Sequence, residues 1–217
     1  MSQQTVRIFI SSPGDVFEER EKSREVIAEL QRQYVDLTLE TVLWEDLSLP
    51  ATASFQQTID IVLVEKPIDV AVFILWSRLG SPLADNITRS DGSPYKSGTE
   101  REFDIMLEAF KQSDNRQPVI LAYTRKDDEG FVDRFKNENP DRFRELVDQR
   151  DLAKEFVQEN FHDSNGRNIR AYHSYPEPTS FAQRLRVHLR NVLNEICLLY
   201  TSPSPRDRTR SRMPSSA

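Results

Sequence analysis

Val-Arg-Ile-Phe-Ile-Ser-Ser-Pro-Gly-Asp-Val-Phe-Glu-Glu-Arg, residues 6–20, is the stretch that decides the fold. The β-branched and aromatic run from Val6 predicts a buried strand ending at Ser11. Ser12, Pro13 and Gly14 are turn formers. Asp15, followed three residues later by Glu18, has the spacing of a capping box with Asp in place of Ser or Thr. The helix behind it is expected to turn Phe17, Val26, Ile27 and Leu30 to one side and Glu18, Glu19, Lys22 and Glu25 to the other. A buried strand running through a polar turn into a helix N-terminus is where an open α/β sheet presents its ligand crevice.

The alternation continues outward from this segment. Leu37–Leu43 reads as a second strand, and Trp44–Ala53 as a loop holding Glu45, Asp46 and Pro50. Ser54 is placed to cap a helix with Phe55, Ile59 and Val62 at helical spacing, ended by Lys66-Pro67. Val70–Leu75 is apolar at every position, as a central parallel strand covered on both faces should be. A long polar loop from Trp76 to Ser97 leads to a helix over Thr99–Lys111, with Thr99 as N-cap and Phe103, Met106, Leu107 and Phe110 inward. Val119–Tyr123 is a fourth strand. The charge-dense residues 124–161 carry enough apolar anchors for two or three short helices. Ile169–Tyr172 reads as a short final strand. Thr179 is expected to cap a last helix with Phe181, Leu185, Leu189 and Leu193 at four-residue spacing. The expected class is α/β: an open, mostly parallel, four- to five-stranded sheet with helices on both faces.

At 217 residues the chain suits one core and is short for two domains. No apolar run approaches the roughly 20 residues that span a bilayer. The opening Met-Ser-Gln-Gln-Thr lacks the pattern of a secretory signal. The single cysteine, Cys197, excludes an internal disulfide and a cysteine-based zinc site. A cytoplasmic protein with no membrane contact is expected. Arg206, Arg208, Arg210 and Arg212 face only Asp207, so the segment after Leu198 carries +3 and the rest of the chain −9 of the net −6. An acidic body argues against nucleic acid as a partner.

The chemistry is expected around Ser97-Gly98-Thr99-Glu100-Arg101-Glu102-Phe103. Gly98 permits a tight turn, and Glu102 falls in the first helical turn near the carboxyl edge of the sheet. A carboxylate there can contact ribose hydroxyls or stabilise an oxocarbenium-like centre as an N-glycosidic bond breaks. Acidic residues also favour first turns simply because they suit the helix dipole. Trp76, Ser77 and Arg78 end the central strand and are expected to line the same crevice. Arg78 is suited to a phosphate, or to neutralising Glu102 or Asp85. Ser11, Ser12, Gly14 and Asp15 sit at the first strand–helix turn, where backbone N–H groups can meet a phosphate or ribose; Ser-Ser-Pro-Gly-Asp is equally ordinary turn chemistry. There is no Gly-x-Gly-x-x-Gly and no Gly-x-x-x-x-Gly-Lys-Ser/Thr. His162, His173 and His188 form no metal pair at helical spacing.

The order Ile8-Phe9-Ile10-Ser11-Ser12, the acidic loop from Trp44 to Pro50, the amphipathic helix over 55–64, the strand Val70–Leu75 and then Ser97 to Glu102 resembles a TIR (Toll/interleukin-1 receptor) domain. It resembles more closely a TIR-like family with a "FISS…D…ER" start, found N-terminal to STAND-type NTPase modules such as NACHT and to repeat modules in sensor proteins, including bacterial anti-phage systems. The resemblance covers residues 6–123 well and 181–193 more loosely. It implies a TIR/flavodoxin-like fold and a clustering effector or signalling domain that cleaves the nicotinamide–ribose bond of NAD. By this matching the catalytic glutamate is Glu102, with Glu100 as second choice, and NAD is a substrate, with no cofactor required. Trp44, Glu45 and Asp46 correspond to the loop through which TIR domains contact one another, so the implied partners are a second copy or other TIR-like domains. Two alternatives accompany this reading. One is a non-catalytic interaction module. The other follows from Gly98-Thr99-x-x-Glu102, which also resembles the "GT..E" of nucleoside deoxyribosyltransferases.

The domain is read as residues 1–196, with 124–168 a charged helical insertion. Residues 197–217 are expected to be disordered and non-native, because Cys197–Ala217 resembles translated sequencing-adapter sequence. A natural Ser/Pro/Arg-rich tail would have the same composition.

Overall fold

The computed structural model describes residues 4–46, 55–84 and 86–201. Strands β1 (Gln4–Ser11), β2 (Leu37–Val42), β3 (Val70–Leu75), β4 (Val119–Arg125) and β5 (His173–Tyr175) form one sheet. They pair in the order β2-β1-β3-β4-β5, and every pairing is parallel. Helices α1 (Phe17–Gln33), α2 (Phe55–Glu65), α3 (Gly98–Gln112), α4 (Asp128–Phe135), α5 (Pro140–Phe161) and α6 (Pro178–Thr201) accompany them. This is a flavodoxin-like topology. From β1 the chain winds toward β2, and from β3 it winds the other way, so the carboxyl ends of β1 and β3 flank the crevice where such sheets bind ligands.

The period-2 alternation of the central strands builds two cores. Val6, Ile8 and Ile10 of β1 and Val70, Val72 and Ile74 of β3 face Val26, Ile27 and Leu30 of α1 and the Phe181–Leu193 stripe of α6. Phe9, Ala71, Phe73 and Leu75 face the other way, toward Ile59 and Leu63 of α2, Phe103 and Met106 of α3, and Phe156 and Phe161 of α5. Phe73 meets Phe103 edge-on at 5.2 Å, and Phe103 meets Phe156 in the same way at 5.3 Å. Phe156 and Phe161 thus tie the charged segment into the main core. Leu189 is fully buried between α6 and the sheet. Leu189→Ala is expected to cost about 2–5 kcal/mol, read as a lower denaturant midpoint at unchanged m-value.

Several local expectations are corrected. The α1 stripe begins with polar residues: Glu19, Arg20 and Ser23 are buried, whereas Phe17 is 57% exposed. The first turn of α1 stands beside the polar carboxyl edge of the sheet, and the apolar part of the stripe starts only at Val26. Asp15 does not cap the helix. Gly14–Val16 forms a 3-10 turn, and the α-helix starts behind it without a side-chain cap. The N-cap of α3 is Ser97, not Thr99; Ser97 Oγ accepts the Glu100 N–H at 3.2 Å. The charged segment forms two helices, as expected, but α5 is 22 residues long and not short. The last strand is His173–Tyr175 and not Ile169–Tyr172, because Ile169 N–H is taken by Phe161 C=O at the end of α5. Helix α6 starts at Pro178, so Thr179 lies inside it and does not cap it, and it continues through Cys197 to Thr201. Residues 202–217, like Pro50 and Ser54, lie outside the described residues. Among the described residues no helix is long and apolar enough to cross a membrane.

Candidate active site

A crevice of about 570 Å³ opens at the carboxyl ends of β1 and β3. One wall is Ser12, Pro13 and Gly14 behind β1, with Trp44 behind β2. The other is the segment from Arg78 to Ala84 behind β3. Gly98, Thr99 and Glu102 at the start of α3 and Gln56 of α2 complete it. Two glycines let these elements meet. Gly80 has φ +121°, a left-handed conformation that glycine tolerates best. A Cβ there would also lie 3.0 Å from Thr99 Oγ1. A Cβ on Gly98 would lie 2.5 Å from Gln56 Oε1, so the bare backbone leaves room for that amide.

Glu102 is 8% exposed and turned inward at the crevice. Ser11 Oγ donates to its Oε2 at 2.5 Å. Burial pushes its carboxyl up to about 7, opposed by the Ser11 and Gln56 hydrogen bonds; the Asp60 carboxylate nearby raises it further. Asp60 is anchored by Arg101 at 2.6 Å and by Gln56 Nε2 at 3.0 Å. A carboxyl that titrates near neutrality supplies both a proton-bearing and an anionic form at working pH.

That shift carries a stability cost with a definite sign. A native carboxyl raised above its unfolded value of 4.5 holds its proton between that value and about 7, where the unfolded chain has released it. Native stability therefore falls as pH rises across this window, by about 3 kcal/mol for a shift of this size. Glu102→Gln removes the titration. Its stability relative to the native chain is expected to improve from pH 5 to pH 8, measured by paired thermal melts.

The other expected site residues divide into three groups. Ser12, Gly14 and Arg78 line the crevice with Glu102. Arg78 Nε is buried without a hydrogen-bond partner among the described residues. Ser11, Asp15 and Ser77 lie behind the wall. Asp15 Oδ2 accepts the Ser77 N–H at 2.8 Å and the Ser77 hydroxyl at 2.9 Å, which braces the β1 turn against the exit of β3. Burial raises the Asp15 carboxyl, against the lowering effect of the Ser77 hydrogen bonds. Trp76 is the correction. Strand alternation sends it to the opposite core beside Phe135, and it does not line this crevice. Glu100 also turns away. Its Oε1 lies 2.5 Å from Arg89 Nη2, and its Oε2 accepts the Lys96 N–H at 2.6 Å. Asp85 lies outside the described residues.

Arg20 and Gln56 carry no site motif in the sequence, yet both shape the crevice. Arg20 is 2% exposed, donates to Ser12 Oγ at 2.8 Å and to the Ser12 and Pro13 carbonyls, and pairs with Glu45. Its guanidinium also lies 5.6 Å from the Trp44 ring centroid. Arg24 holds Asp46 through two hydrogen bonds of 2.9 and 3.0 Å. Trp44, Glu45 and Asp46 are thus clamped onto α1, with Trp44 at the crevice rim. Among the described residues no three His, Cys, Asp or Glu side chains gather as a metal-holding group.

No protein-family model matches this chain, and no curated protein is significantly similar to it in sequence.

Proposed function

We propose that this chain is a TIR-like effector domain of a larger cytoplasmic sensor, and that its crevice cleaves the N-glycosidic bond of NAD when copies cluster. The observation that carries this reading is a buried glutamate, raised to about 7, at the switch-point crevice of a parallel sheet. In the proposed reaction the bond between ribose C1′ and the nicotinamide nitrogen breaks, and its electron pair leaves with neutral nicotinamide. The Glu102 carboxylate stabilises the cationic ribosyl centre. Water adds at C1′ and releases a proton, giving ADP-ribose.

The remaining groups have matching roles. Arg78, which lines the crevice, meets the pyrophosphate. Ser11 fixes the rotamer of Glu102. Trp44 at the rim offers a ring face to a base. No cofactor is needed for this chemistry. The test compares nicotinamide release by the native chain and by Glu102→Ala, both fused to an oligomerising tag. Release by the native fusion alone is expected. Equal release from both, or none from either, contradicts the reading and favours a docking domain that assembles through the Trp44–Asp46 turn.

A further inference from the structure

Two carboxyl groups, Asp60 and Glu102, share one buried amide between α2 and α3. Gln56 of α2 is 3% exposed and reaches the crevice. Its Oε1 occupies the space that a Cβ on Gly98 would need, and its Nε2 donates to Asp60 Oδ1 at 3.0 Å. The same side chain hydrogen-bonds Glu102. Asp60 is held in turn from α3, where Arg101 Nε donates to its Oδ2 at 2.6 Å. A Gln–Asp pair four residues apart on one helix is ordinarily a surface pair. Here the amide is turned inward, and the carboxylate is tied to the helix that carries Glu102.

Hydrogen-bond chemistry fixes the orientation of that amide. An ionised carboxylate only accepts, so Asp60 demands Nε2 and turns Oε1 toward Gly98. Nε2 carries two hydrogens, and the one that Asp60 leaves is available to Glu102. A flipped amide would set Oε1 against Asp60 Oδ1, with two acceptors facing each other. We propose that Asp60 and Gln56 are positioning residues for Glu102: Asp60, anchored by Arg101, orients the Gln56 amide, and that amide presents an N–H to the Glu102 carboxylate. With Ser11 Oγ on its Oε2, Glu102 is then gripped from both β1 and α2. Their role rests on the reading of Glu102 as the group that meets the ribosyl cation.

The surrounding charges give the two residues opposite effects. On α3, Arg101 is engaged by Asp60 and Glu100 by Arg89. Behind β1, Asp15 is held by Ser77, and Arg20 of α1 by Ser12, Pro13 and Glu45. Arg78 lines the crevice from the exit of β3. Among the described residues Asp60 is the charge that acts on Glu102, and it raises the carboxyl; the Gln56 hydrogen bond lowers it.

The Glu102 carboxyl can be titrated without substrate, by carbon NMR of the full chain labelled at its glutamate side-chain carboxyls. Its resonance is the one that disappears in Glu102→Gln. Asp60→Ala removes a negative charge and frees Arg101, so the midpoint is expected to fall by about one pH unit or more. Gln56→Leu removes the donor, and the midpoint is expected to rise. Asp60→Glu keeps the charge and is expected to restore a midpoint above that of Asp60→Ala. A merely structural role would not move the two midpoints in opposite directions. Where nicotinamide is released, the rising limb of the pH–rate profile is expected to move with the carboxyl, down for Asp60→Ala and up for Gln56→Leu. Only variants that keep a cooperative thermal melt are compared; should one fail to fold, the sign of the other decides. Unchanged midpoints, or shifts of the same sign, would overturn the proposal and leave NAD cleavage itself untouched. Opposite shifts in a chain that releases no nicotinamide would support the positioning pair and count against NAD as the substrate.

Discussion

Glu102→Gln is expected to slow nicotinamide release from NAD by about 100-fold or more, with the fold intact. Glutamine keeps the shape and can accept the Ser11 hydrogen bond, so the crevice is preserved. What it loses is the negative charge opposite the developing ribosyl cation. That charge acts from a buried position, where electrostatic interactions are stronger than in water. The pH profile gives the same account a second reading. Because burial raises this carboxyl to about 7, its anionic form accumulates as pH rises through neutrality. The native rate is expected to climb about tenfold per pH unit well below that value and to level above it. The residual rate of Glu102→Gln is expected to lack this limb. A native profile that falls across the same window would show that the protonated carboxyl does the work.

The second large effect is predicted at Arg20. Its guanidinium joins four partners: Ser12 Oγ, the Ser12 and Pro13 carbonyls, and Glu45. Arg20→Met retains most of the volume and removes every donor. Two carbonyls and a hydroxyl then lose their donor at a buried place, and the exposed Glu45 is left with Arg24 at 3.6 Å. Breaking such a buried arrangement from one side costs about 3–5 kcal/mol. The same change frees the Ser12–Gly14 wall and the Trp44 rim, so activity is expected to fall together with stability. Chemical denaturation measures the first and nicotinamide release the second. A variant with native stability would mean that water replaces the guanidinium without penalty.

The fold was legible because its signals are periodic. Val70–Leu75 is apolar throughout, and residues 6–11 stop at Ser-Ser-Pro-Gly, so a covered parallel sheet with a polar turn behind its first strand follows from pattern alone. The juxtaposition of Glu102 with Ser12, Gly14 and Arg78 follows from the same pattern, because parallel strands deliver their carboxyl ends to one edge. Side-chain direction at that edge was less legible. Trp76 reads as a crevice residue until the alternation of β3 is carried one step past Leu75. Glu19 and Arg20 read as solvated helix charges, because helical periodicity separates polar from apolar and says nothing of a helix whose first turn faces a polar edge. Arg20 lies eight residues after Ser12 in the quoted stretch, close enough to suggest a clamp, but only the α1 docking angle makes it one. Gln56 carries no motif; its role comes from the missing Cβ of Gly98.

Mass spectrometry of the products formed from NAD by the clustered native chain shows which bond is cut. Nicotinamide and ADP-ribose are expected in equal amounts, both lost in Glu102→Gln. Intact NAD, or cleavage at the pyrophosphate to nicotinamide mononucleotide and AMP, would contradict cleavage of the N-glycosidic bond.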